Sequence, residues 1–246
     1  MKLSHQTRIK VYGGLSMTAA QCRTILPTAK FAAPIRRGDL LKDLRDHFHI
    51  VAILDGGFEQ SLAITCDEIR DAIRSGVRVF GASSMGAMRA AELRQFGMVG
   101  HGEIYNLILN TPGFRDDFLA QTFAQTDDDT HPLTMTYVDF YFAALKDRHF
   151  SISDREWTLG QFAKMFYSHR NLADFQRKIE AMGRDDLLPA IKRVFASSPS
   201  QKNIDAMGLI KKISMVMLES SRYDSRILIK NQSRLRLGIR RNKNNF

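Results

Sequence analysis

The chain is 246 residues long, 44% hydrophobic and 25% charged, the balance of a soluble globular protein with room for one large α/β domain or an ordinary domain plus a smaller one. No run approaches the roughly 18 apolar residues of a membrane span, and the start "MKLSHQTRIK" lacks the apolar core of a secretory signal, so the expected compartment is the cytoplasm, without membrane attachment. The net charge of +10 points to nucleic acid only until it is located: eight basic residues against Asp224 put +7 into residues 222–246 and leave +3 for the rest. Nucleic acid is therefore not the expected partner, and the basic tail reads as a solvated extension or as a docking element for an acidic partner.

In chain order, "RIKVY" (8–12) reads as a strand, "GGLS" (13–16) as its turn, and residues 17–26 as a helix stopped by Pro27. "AKFAAP" is a second short strand, "IRRGD" its turn, and "LLKDLRDHF" a helix by its leucine spacing. "IVAILD" (50–55) is a continuous apolar run, as expected of a parallel strand covered on both faces. "GGF" leads into a helix over roughly 61–75, ended by Gly76. "VRVFG" is the next strand, running straight into "ASSMG" and an Ala-rich helix. This alternation predicts an α/β fold, a parallel sheet with helices on both faces, flavodoxin- or Rossmann-like. Beyond about residue 115, stretches such as "YVDFYFAALK", "EWTLGQFAKMFY" and "NIDAMGLIKKISMVMLES" carry apolar residues at helical spacing. The expected organisation is an α/β core over 1–132, a helical region over 133–221 and the tail over 222–246.

Functional groups in parallel sheets collect at the carboxyl ends of the strands. Three such ends are Gly13-Gly14-Leu15-Ser16, Asp55-Gly56-Gly57-Phe58 and Gly81-Ala82-Ser83-Ser84. The last continues through Met85 to Gly86, giving small-x-Ser-x-Gly, the pattern of a nucleophile elbow, where small flanking residues let a sharp strand-to-helix turn present a side chain above the sheet. Ser84 is at the centre of that pattern, with the N–H groups of Met85 and Gly86 placed to stabilise an oxyanion. The competing reading is a helix-capping serine. His131, in a polar loop before Pro132, is the best placed base among the histidines, and Glu68 is a carboxylate able to orient it or act directly. Gly14, Ser16, Asp39, Asp55, Ser83, Met85, Gly86 and Arg89 are the expected substrate- or partner-binding residues around the turns. Asp127, Asp128 and Asp129 diverge in direction and read as a solvated loop, so no metal is expected, and no cofactor either. Glycines 97, 100 and 102 stand in the reverse order of a dinucleotide fingerprint, and Gly81 to Gly86 lacks the lysine of a P-loop. Cys22 and Cys66 have no metal-ligand spacing and read as free thiols.

The segment "GASSMGAMRAAELRQFGMVGHGEIY" closely resembles the signature of the TfuA-like protein family, and "VYGGLS", "LPTAKFAAPIRRGDLL" and "ILDGGFEQ" stand before it in the family's order, so that the resemblance covers residues 8 to 132. It implies a role beside a YcaO-type enzyme, which activates a peptide-backbone amide with ATP, in thioamidation of ribosomally made peptides. Sulfide would come from a sulfur carrier protein or another donor, with a precursor peptide as a further partner. On this reading Ser84 cleaves a thiocarboxylated donor and releases sulfide; the alternative is a non-catalytic module that binds and regulates the YcaO enzyme. The chain departs from the family at Cys66-Asp67-Glu68-Ile69, where the family usually has His-Lys-Glu-Ile, and in the shortened "DDDTHP" around His131.

Overall fold

Four short apolar strands and a two-residue edge strand build the sheet. The structure is a computed structural model and describes residues 7–57, 62–125 and 130–218. Strands β1 (Ile9–Tyr12), β2 (Lys30–Ala32), β3 (Ile50–Ile53), β4 (Arg78–Gly81) and β5 (Val99–Gly100) pair in the order β2-β1-β3-β4-β5, and every pairing is parallel. Between them run α1 (Ala19–Ile25), α2 (Asp39–Arg45), α3 (Cys66–Arg74) and α4 (Met85–Leu93), and α5 (Glu103–Asn110) follows β5. This is the flavodoxin-like order, with its switch point between β1 and β3. The expected α/β architecture is present. The helix expected from residue 61 starts at Cys66, because Thr65 and Glu68 form a capping box there. The edge strand β5 lies within the glycine-rich run that spacing had excluded as a nucleotide signature.

The period of two in the strands sorts their side chains onto two faces. Val51, Ile53 and Val79 join Leu40 of α2, Ile69 of α3 and Met85, Ala87 and Ala90 of α4 in one apolar cluster. Ile9, Val11, Ile50, Ala52 and Phe80 face the other way, where α1 contributes Cys22 and a turn contributes Met17. The rest of this second face is covered from far along the chain. The residues over it are Ala206, Leu209, Ile210 and Ile213, from a helix described over 201–218, here α10.

Between α5 and α10 the chain makes a hairpin, β6 (Phe123–Gln125) with β7 (Thr130–Pro132), and four helices, α6 (Tyr137–Lys146), α7 (Ile152–Ala163), α8 (Leu172–Glu180) and α9 (Leu188–Phe195). These helices enclose their own core, in which Phe140 stacks on Phe162 at 4.0 Å between ring centroids and Phe175 meets both edge-on. Arg170, fully buried, ties this region to the first by donating to the Asp117 backbone carbonyl and carboxylate. Residues 133–221 were expected as one helical region, but α10 packs on the sheet, and the separate helical core ends with α9. The contact is specific. Asp205 of α10 accepts from the Ile104 N–H at 2.8 Å, capping α5, while Gln201 Nε2 donates to its other oxygen at 2.8 Å. A side chain at Gly102, where φ is +99°, would collide with the Asp205 carboxyl group, so glycine is required there both by conformation and by space. No helix among the described residues is long and apolar enough to cross a membrane. The basic tail, residues 222–246, lies outside the described residues.

Candidate functional site

At the switch point the turn after β1 meets the end of β3. Asp55, 5% exposed, accepts from the Ser16 N–H at 2.8 Å and from Ser16 Oγ at 2.5 Å. The two expected cleft residues are thus brought together, and they clasp each other. Their polar groups fix the turn, and Gly14 of that turn packs so close to Pro34 that a Cβ would stand 3.1 Å from its ring.

The strand-to-helix corner is as tight as its small residues predict. A Cβ on Gly86 would lie 1.8 Å from the Ile53 carbonyl oxygen, and one on Gly81 would lie 2.0 Å from that of Gly86. Helix α4 therefore starts directly on the backbone of β3 and β4. The backbone strain of the corner falls on Ser83, whose φ is +69°. Its hydroxyl is fully buried and donates at 2.7 Å to the carbonyl of Lys202 on α10. Ser84 is half-buried and occupies the N-cap position of α4, yet its side chain makes no capping hydrogen bond. The capping reading of Ser84 fails, and its Oγ stays available. Of the two expected oxyanion donors, the Gly86 N–H already donates to the Leu54 carbonyl at 3.3 Å. Met85 is the first residue of the helix, so its N–H, like that of Gly86, has no intrahelical acceptor.

The other expected residues are distributed differently. Glu68 has both carboxylate oxygens engaged, one by the Gly38 N–H and the other by the N–H and hydroxyl of Thr65 at 3.0 Å each. It joins the turn before α2 to the start of α3. Asp39 accepts from the Arg36 N–H at 2.9 Å and pairs with Lys42, both local to α2. Arg89 donates to the Ile64 carbonyl at 3.2 Å and to Glu92 at 2.7 Å, and Cys66 Sγ donates to the same Glu92 oxygen at 3.3 Å. Burial, then the Glu92 carboxylate, push the Cys66 thiol above its ordinary pKa, the reverse of what a sulfur-relay thiolate needs. His131 stands exposed on β7, in a hairpin instead of the expected loop. Asp127, Asp128 and Asp129 lie outside the described residues. No group of three or more His, Cys, Asp or Glu residues able to hold a metal ion occurs among the described residues.

A cavity of about 280 Å³ opens where the turn after β1, the end of β7 and the start of α10 converge. Leu15, Gln121, Thr134, Asp139, Phe195 and Lys202 are among its lining residues. Lys202 is 3% exposed and held on three sides: its N–H donates to Asp139 at 3.0 Å, its carbonyl accepts from Ser83, and its Nζ donates to Gln121 Oε1 at 3.1 Å. Sequence reasoning missed this group, because Lys202 follows the last helix of the separate core by several residues and reads as an ordinary helical lysine. The one signal was indirect: a buried, strained serine at a corner needs an acceptor for its hydroxyl.

Residues 55–171 match a family model described as TfuA-like protein. The match begins at the end of β3 and, unlike the resemblance over residues 8 to 132, reaches into the helical region as far as the start of α8. No curated protein matches the chain.

Proposed function

The chain carries a TfuA-like family domain, and from that premise we propose that it works beside a YcaO-type enzyme in peptide-backbone thioamidation, releasing sulfide from a thiocarboxylated donor through Ser84. The observation that carries this reading is the corner itself. A half-buried serine hydroxyl without a capping bond sits at the start of α4, on a turn whose strain is borne by the preceding residue. Ser84 Oγ attacks the carbonyl carbon of the thiocarboxylate, forming a C–O bond. The C–S bond breaks, and the hydroxyl proton leaves with sulfur as HS⁻. Water then hydrolyses the acyl-serine to a carboxylate and the free hydroxyl. The Met85 N–H and the positive end of the α4 dipole stabilise negative charge on the oxygen during attack. Glu68, committed to its cap, holds the turn before α2 against α3. Sulfide is released beside the amide that the YcaO enzyme has activated.

One observation favours a second reading, a non-catalytic partner that binds and regulates the YcaO enzyme: Glu68 and the Gly86 N–H, two of the groups acyl transfer calls for, are already hydrogen-bonded within the fold. Sulfide release from a thiocarboxylated carrier protein, measured for wild type and Ser84→Ala, separates the two. The nucleophile reading expects the variant to lose release and to regain thioamidation when free sulfide is added. Undiminished release by Ser84→Ala refutes it. Stimulation of the YcaO enzyme without any sulfide release, equal in both proteins, establishes the regulatory reading.

A further inference from the structure

The cavity between the sheet's carboxyl edge and the helical region is lined by a buried lysine whose ammonium makes no direct ion pair among the described residues. Lys202 Nζ has an uncharged acceptor, Gln121 Oε1, and pairs with no carboxylate among the described residues. An ammonium has three donors, and a buried charge is stable when it is paired or fully hydrogen-bonded. Asp139, which also lines the cavity, commits its oxygens to Thr136 Oγ1 at 2.8 Å and to the Lys202 backbone N–H at 3.0 Å. The Gln121 carboxamide accepts through its oxygen, and its NH₂ group donates to no described residue. Two donor groups, one of them cationic, therefore stand together in the wall of a cavity that polar and apolar side chains line about equally.

We propose that this cavity binds a small monocarboxylate with an apolar body, its carboxylate received by Lys202 Nζ and the Gln121 amide, and its body against Leu15, Leu172 and Phe195. The two donors match the two oxygens of one carboxylate, and the apolar lining residues accommodate a body that inorganic phosphate lacks. The volume, about 280 Å³, lies just under the range of drug-sized pockets, roughly 300–1,000 Å³, and suits a molecule of acylated amino-acid size. Because the Lys202 carbonyl accepts from Ser83, an occupant here pulls on the same residue that anchors the strained corner. The inference does not depend on Ser84 acting as a nucleophile.

Calorimetric titration of the full chain at low salt with N-acetylleucine, N-acetylleucinamide and inorganic phosphate tests it. The acid is expected to bind at least tenfold more tightly than the amide, phosphate is expected not to displace it, and Lys202→Met is expected to bring acid and amide within about twofold of each other. Equal binding of acid and amide by the wild type, no binding of either, tighter binding of phosphate at the same site, or an undiminished preference in Lys202→Met would each overturn it. If Lys202→Met does not unfold cooperatively, Gln121→Leu is read instead. It should reduce the preference severalfold, and an unchanged preference in that variant overturns the proposal equally.

Discussion

The two faces of the sheet are covered in opposite ways. One is covered by α2, α3 and α4, each contiguous in sequence with the strands it packs on. The other is covered by α1 and then by α10, which follows β5 after a hairpin and a separate four-helix core. The first face is made of local β-α units, each reporting its own partner through apolar spacing and capping. The second depends on a pairing more than a hundred residues apart, and no local pattern encodes it. The candidate chemistry divides along the same line. Ser84 belongs to the local face through α4, while Ser83, one residue earlier, is bound to α10.

The largest test of this contrast is truncation after residue 200. Removing α10 exposes Ile50, Ala52 and Phe80 and uncaps α5, so the protein is expected to lose cooperative thermal unfolding and to bind hydrophobic dyes. A sharp transition retained by the truncated chain would place α10 outside the core. Leu209→Ala, at a fully buried position under the sheet, should cost about 2–5 kcal/mol in denaturant unfolding. A cost equal to that of Ile69→Ala on the opposite face would show that the remote helix is as much a part of the core as the local ones, and a cost near zero would break the comparison. Gly86→Ala probes the local face where backbone meets backbone. With a Cβ 1.8 Å from a carbonyl oxygen, it is expected to destabilise by about 1–3 kcal/mol, and a wild-type midpoint would mean that the corner yields.

The smallest expected effect is on pH dependence, where α10 meets the region around β5. Burial first, and then Lys212, lower the pKa of His101, with Asp205 acting in the opposite direction. The folded protein therefore resists a proton that the unfolded chain accepts at about pH 6.5. The stability contribution of neutral His101 is fully present above that value and is lost as pH falls toward and through the lowered folded value. Burial raises the Asp205 carboxyl, with the opposite sign of dependence at its own lower window. Unfolding midpoints at pH 7.5 and 5.5 should therefore fall on acidification less in His101→Gln than in wild type. Parallel losses in the two proteins would mean that His101 is not the group responsible.

Much of the first face was legible. A continuous apolar run located β3, β-branched and aromatic residues located β4, the alternation predicted the parallel sheet, and Ala82 to Gly86 announced a tight corner. The details that fell outside the reading have physical causes. Two residues of β5 are too few to show a period, and the glycines around them drew attention to a nucleotide pattern. His131 reads as a loop residue because a three-residue strand beside a run of aspartates has no apolar alternation. Glu68 read as a carboxylate able to orient a base or act directly, although Thr65 three residues earlier already spelled a capping box. The pattern put Ser84 at the centre of the elbow, whereas the left-handed backbone belongs to Ser83, whose inward turn is fixed by the folded contact with Lys202. Lys202 itself could not be found by any spacing, since its burial is a property of two regions meeting.

The remote position of α10 also sets a timetable. During synthesis, β1 through β5 leave the ribosome about a hundred residues before the helix that closes their second face, a delay of roughly 5–20 s at ordinary elongation rates of about 5–20 residues per second. For that interval Ile9, Val11, Ile50, Ala52 and Phe80 have α1 over them but not α10, and the Ser83 hydroxyl has no acceptor at the corner. The nascent chain thus passes through a stage in which an apolar sheet surface and an unfinished corner are open together, and both are closed by the same eighteen residues, 201–218.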